Sequence, residues 1–109
     1  MVFDVSKDMN EHIYTRVGEI FKIRLEGNPT TGFLWKVATE SKLIKFLDTS
    51  WEGKVSLAGE PRIQVQSFHA LLPGETNLIL QYKRPWEKDN VLDERLFTIH
   101  IEPILSSRA

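Results

Sequence analysis

The three histidines, His12, His69 and His100, are the side chains best suited to general acid–base work or metal ligation. Their surroundings offer them little of either. His69 and His100 fall inside stretches that read as strands, and no motif sets a Ser or Asp beside them. The sequence has no H-E-x-x-H pair, no glycine-rich phosphate loop and no nucleophile elbow. Glu11-His12 near Asp8 offers metal-binding residue types without a ligand spacing that defines a site. Cysteine is absent, which removes thiol nucleophiles, thiolate zinc sites, iron–sulfur clusters and disulfides together. The chain reads as a non-enzyme, with no cofactor and no metal expected.

Two segments carry more information. Gly27-Asn28-Pro29-Thr30-Thr31-Gly32-Phe33 is a short loop stiffened by Pro29 and able to bend sharply at Gly32, with two small uncharged residues at its tip. It reads as a turn between strands, or as a preorganised wedge that enters a cleft with little loss of entropy. In Tyr82-Lys83-Arg84-Pro85-Trp86-Glu87 the proline ends a strand and a Trp follows beside an Arg. Trp86 either folds back onto the sheet end or stays exposed, where Trp with Arg is the composition of a protein-binding hot spot.

These segments need a rigid support. The 109 residues (12.6 kDa) suffice for one domain, 1–109. Hydrophobic residues make up 41% and charged residues 27%, which suits a folded soluble chain. Fourteen basic against fifteen acidic residues leave a net charge of -1, so neither nucleic acid nor an anionic membrane is expected as a partner. No apolar run approaches the ~20 residues of a membrane span. Charge enters too early in Met1-Val2-Phe3-Asp4 for a signal peptide. This predicts a cytoplasmic protein, or a vesicular or secreted one whose leader has been removed.

Hydrophobicity alternates at period two. Phe21, Ile23 and Leu25 alternate with charged residues, and Phe33, Trp35 and Val37, Leu78, Leu80 and Tyr82, and Phe97, Ile99 and Ile101 form similar series. Ile63, Val65 and Ser67 alternate more weakly with Gln64 and Gln66. The pattern predicts strands at 19–26, 33–38, 43–52, 62–70, 76–83 and 95–103, and a short one near 2–5 or 14–17. Six or seven short strands without a convincing helix point to an all-β antiparallel sandwich. If direction reverses at every connection, segments 27–32, 53–61 and 84–93 emerge side by side at one end.

Asn28-Pro29-Thr30-Thr31-Gly32-Phe33 with Trp35, then Tyr82-Lys83-Arg84-Pro85-Trp86, resembles the chagasin-type inhibitors of papain-like cysteine peptidases. The resemblance implies an immunoglobulin-like fold whose three clustered loops fill a peptidase cleft reversibly and competitively. It makes Asn28, Pro29, Thr30, Thr31, Gly32 and Phe33 the central wedge, with Thr30 nearest the catalytic thiol. Arg84, Pro85 and Trp86 become an anchor on one flank. The family's other loop is rich in glycine, whereas here the chain reads Val55-Ser56-Leu57-Ala58-Gly59-Glu60-Pro61. Leu57, Ala58 and Gly59 are its expected contact residues, with Leu57 suited to an apolar specificity pocket. The expected partner is a papain-like peptidase, and the free protein is expected to be a monomer. The competing reading is an immunoglobulin-like adhesion or carbohydrate-binding module that stacks ligands on Trp51 and Trp86, although no Asp/Asn cluster is present to hold calcium for a sugar.

Overall fold

The alternating pattern becomes strands over most of the chain. The computed structural model describes residues 2–4, 11–53 and 62–104. Its strands are β1 (Val2–Asp4), β2 (Glu11–Arg16), β3 (Ile20–Gly27), β4 (Leu34–Val37), β5 (Ile44–Glu52), β6 (Arg62–Ala70), β7 (Gly74–Lys83) and β8 (Val91–Glu102). They form two four-stranded sheets, ordered β1-β3-β6-β5 and β2-β8-β7-β4. This is the expected immunoglobulin-like sandwich, with eight strands among the described residues.

Both candidate N-terminal segments form strands, and both pair in parallel: β1 with β3, and β2 with β8. The other described pairings are antiparallel. Direction still reverses at each connection. Parallel neighbours arise because the chain crosses between sheets, which brings strands of equal parity together. β7 begins at Gly74 and β8 at Val91, earlier than the apolar alternation alone predicts. The added residues, Gly74, Glu75 and Val91 to Glu94, do not alternate, and the ladder extends through backbone bonds that periodicity does not register.

Phe21, Ile23 and Leu25 of β3 and Phe68 and Ala70 of β6 face Ile13 of β2, Leu78 and Leu80 of β7, and Phe97, Ile99 and Ile101 of β8. Phe21 and Phe68 are register partners whose rings stack at 5.4 Å. The inward residues of β6 share the parity of Phe68 and Ala70. Gln64 and Gln66 therefore line the interior, contrary to the reading that sets them opposite an apolar face. Val65 and Ser67 are buried as well, because β3 and β5 flank this central strand.

The two glutamines do specific work. β4 is an edge strand, and the Trp35 peptide group points away from β7. The Trp35 N–H donates to Gln64 Oε1 at 2.9 Å, and Gln64 Nε2 donates back to Trp35 O at 3.0 Å. Gln66 Nε2 donates to the same carbonyl at 2.6 Å. A glutamine amide thus replaces a neighbouring strand, and buried backbone groups that would otherwise go unpaired are satisfied.

Phe68→Ala removes the ring at the centre of this core and is expected to destabilise the fold by about 3–5 kcal/mol. Urea unfolding checks this: the midpoint should fall with an unchanged slope.

Candidate protein-binding loops

Strand register determines which loops meet. Gly27 pairs with Arg62 and Glu52 with Ile63, while Leu34 pairs with Lys83 and Lys83 with Val91. Segments 28–33 and 84–90, and the strand ends Glu52 and Arg62, therefore lie at one end of the sandwich, as parity requires. Residues 91–93, read as loop from the sequence, belong to β8. Leu57, Ala58 and Gly59 lie outside the described residues.

The first loop is a hydrogen-bonded unit. Pro29–Thr31 form a 3₁₀ turn with Asn28 as N-cap and Pro29 at its first position, where a missing N–H does no harm. Asn28 Oδ1 accepts from the Thr30 N–H at 3.1 Å and from the Thr30 hydroxyl at 2.6 Å. The Thr31 hydroxyl donates to Asn28 O at 2.8 Å and accepts from the Phe33 N–H at 3.3 Å. Gly32 closes the turn at φ +84°, a conformation that a side chain would strain. Both threonine hydroxyl protons are engaged inside the loop, while Thr30 and Thr31 remain exposed at its tip.

Tyr82 seats this unit on the sheet. Its hydroxyl accepts from the Asn28 N–H at 3.0 Å, and its ring packs against Phe33 at 5.5 Å and Trp35 at 5.1 Å. The Trp35 indole N–H donates to Glu26 O at 3.1 Å, joining the end of β3 to the start of β4.

The third loop turns tightly, with the Glu87 N–H bonded to Arg84 O at 3.0 Å across Pro85 and Trp86. Arg84 bridges the two loops: its Nε donates to Thr31 O at 3.1 Å and its guanidinium lies over the Phe33 ring at 4.4 Å. Its Nη1 also reaches Glu87 Oε1 at 3.2 Å. Phe33 is consequently buried under Arg84 at 7% exposure, whereas Trp86 is 71% exposed and Pro85 is exposed. A Cβ on Gly32 would lie 2.8 Å from Trp86 Cη2, so the glycine also makes room for the indole.

Asn90 and then Arg84, both hydrogen-bonded to Glu87, hold its carboxyl below the usual carboxylate range. Trp51 is half-buried against Gly27, with the Arg62 guanidinium 5.7 Å from its ring centre. It is therefore only partly available as a stacking surface.

The histidines stand apart from these loops. His12 Nδ1 lies 2.9 Å from His100 Nε2, His100 Nδ1 is 3.2 Å from Glu75 Oε1, and Tyr14 stacks on His100 at 4.5 Å. They tie β2 to β8. His69 sits in β6 between Ile20 and Lys45.

Sequence reasoning missed two supports. Tyr82 was legible as the last member of the Leu78, Leu80, Tyr82 series, two residues before Arg84. Gln64 could have been found by counting back from Phe68 in steps of two.

Stiff loops gathered on a rigid sandwich, with no assembled catalytic group among the described residues, define a loop-presenting binding protein. Residues 14–101 match the family described as chagasin family peptidase inhibitor I42, and the chain belongs to that family. It is a peptidase inhibitor and not an enzyme. Amoebiasin-1 of Entamoeba histolytica is 30% identical over 96 residues, 84% of this chain and 89% of that protein. The solved cysteine protease inhibitor EhICP2, also from Entamoeba histolytica, shares the fold at a TM-score of 0.76 and 23% identity, over 93% of this chain and 94% of its own. PbICP-C, solved in complex with falcipain-2, shares it at 0.59 and 20% identity, over 93% and 98% of the two chains.

Two outcomes are expected. Gly32→Ala should displace the Trp86 indole and destabilise the loop by about 1–3 kcal/mol, read as a changed Trp86 indole resonance and faster exchange of the Thr31 amide. In an NMR titration Glu87 should show a midpoint below 4.5, because its partners favour the ionised form. A folded-state pKa below the unfolded value means the contribution to stability is complete above that value and lost as pH falls through the folded pKa. Asn90→Ala should move the midpoint upward; a midpoint at or above 4.5 in the parent protein would contradict the loop geometry.

Proposed function

We propose that this inhibitor acts reversibly and competitively on papain-like cysteine peptidases, with the loops at this end of the sandwich occupying the active-site cleft. The family assignment, and similarity to a cysteine protease inhibitor and to a protein solved with falcipain-2, support the target class. The observation that carries the mode of action is the Arg84 bridge, which fuses the first and third loops into one preassembled surface.

On this reading Asn28, Pro29, Thr30, Thr31 and Gly32 form the wedge, with Thr30 at its tip nearest the catalytic thiol. Phe33 supports them from below. Pro85 and Trp86 meet the flank of the cleft, and Arg84 holds both loops in register while contributing its remaining donors. Leu57, Ala58 and Gly59 are assigned to the opposite flank.

Inhibition requires no chemistry from the inhibitor. The wedge excludes substrate, and its own peptide bonds resist cleavage because they lie in a capped 3₁₀ turn. Proteolysis of a folded segment normally proceeds through an opened form. Opening this turn breaks the Asn28 cap, the Thr31 bonds and the Arg84 contact together. Little conformational entropy remains to be lost on docking, which favours tight binding from a small surface.

Titration of papain with the protein should give competitive, reversible loss of peptidase activity. Trp86→Ala should raise the inhibition constant about 30-fold or more, as expected for an exposed aromatic anchor worth ~2 kcal/mol. Absence of inhibition across papain-like enzymes at micromolar protein would refute the reading.

A further inference from the structure

We propose that Gln64 is an affinity-setting positioning residue: from the opposite sheet, its side-chain amide holds the strand that carries the inhibitory wedge. This rests on the inhibitory reading above but concerns a residue that touches no peptidase in it.

The wedge leads directly into β4, a strand of four residues at the edge of its sheet. β4 bonds to β7 on one side only, and its other side borders a groove of about 550 Å³ towards β5, lined in part by Phe46, Thr49, Gln64 and Gln66. A short edge strand beside an open groove has little to resist fraying. Gln64, 2% exposed, spans the gap. Its oxygen takes the Trp35 N–H, and its nitrogen gives one hydrogen to Trp35 O and the other to Thr49 Oγ1 at 3.3 Å. The orientation of the amide is determined by its partners, since a flipped group would set N–H against N–H and oxygen against oxygen.

The arrangement is transmitted upward. The fixed Trp35 peptide holds the indole that bonds Glu26 O and packs on Tyr82, and Tyr82 bonds the Asn28 N–H at the root of the wedge. Gln66 adds a bond to Trp35 O, but its Oε1 is buried without a partner among the described residues. Its contribution is partly offset by that unsatisfied acceptor. Gln64 is fully bonded and is the main clamp.

The test separates positioning from bulk stability. Gln64→Leu keeps a side chain of similar size and removes both Trp35 bonds; Gln64→Asn keeps the amide but is too short to span the gap, and serves if the first variant fails to fold. Leu78→Ala, a core truncation in β7, provides a matched loss of stability. Inhibition constants for papain are measured where each protein is folded, together with amide exchange at Trp35, Thr31 and Gly32.

The clamp variants should raise the inhibition constant at least tenfold and accelerate exchange at all three amides. Leu78→Ala should lower the unfolding midpoint while leaving the inhibition constant within twofold. An inhibition constant within twofold of the parent for a folded clamp variant would overturn the proposal. So would weakening by Leu78→Ala in proportion to its instability. If the parent itself leaves papain and related enzymes active, the inhibitory reading fails, and the exchange data alone then judge the clamp: unchanged exchange at Thr31 and Gly32 refutes it.

Discussion

The peptide group of Trp35 lies on an edge strand with no neighbour to bond it, and glutamine side chains from the facing sheet supply what a strand would have supplied. Most of the functional end follows from that constraint. With β4 fixed, the Trp35 indole can close on Glu26 O and the Tyr82 ring can fill the space beside it. The Tyr82 hydroxyl then reaches the Asn28 backbone, and Asn28 organises the threonines. Each contact is an ordinary hydrogen bond with a modest net contribution. Their effect comes from being in series, since each orders the group that makes the next.

Arg84 closes this series from the other side. Its guanidinium serves as a donor to Thr31 O, a partner to Glu87 and a cover for Phe33 at once. The planar, multi-donor fork of arginine suits this geometry better than the single ammonium of lysine. The outcome is a surface on which Trp86 stands exposed while the groups beneath it are occupied. A protein with a net charge of -1 and no cysteine then has no need of a broad electrostatic field or a redox-dependent staple to hold these loops in place.

Much of this was legible in the sequence. Apolar alternation located the central strands, and counting reversals of direction placed three loops at one end. The Asn28–Phe33 and Arg84–Trp86 motifs fall in two of those loops. Three features were harder to read, each for a physical reason. The N-terminal strands pair in parallel through backbone bonds, which leave no mark on hydrophobic pattern. Phe33 lies under Arg84 rather than at the surface because a cation over the ring shields it, a contact between residues far apart in sequence. Gln64 and Gln66 look like a solvent face, and only the empty edge of β4 explains two amides in the interior.

The central claim is that the wedge is built before the peptidase arrives. Backbone ¹⁵N relaxation of residues 28–33 and 84–87, in the free protein and bound to papain, tests it most directly. The account predicts order parameters near ~0.85 in the free protein, as for rigid backbone, with little change in the complex. Values below ~0.6 in the free protein that rise only on binding would show loops ordered by the enzyme, and would contradict it.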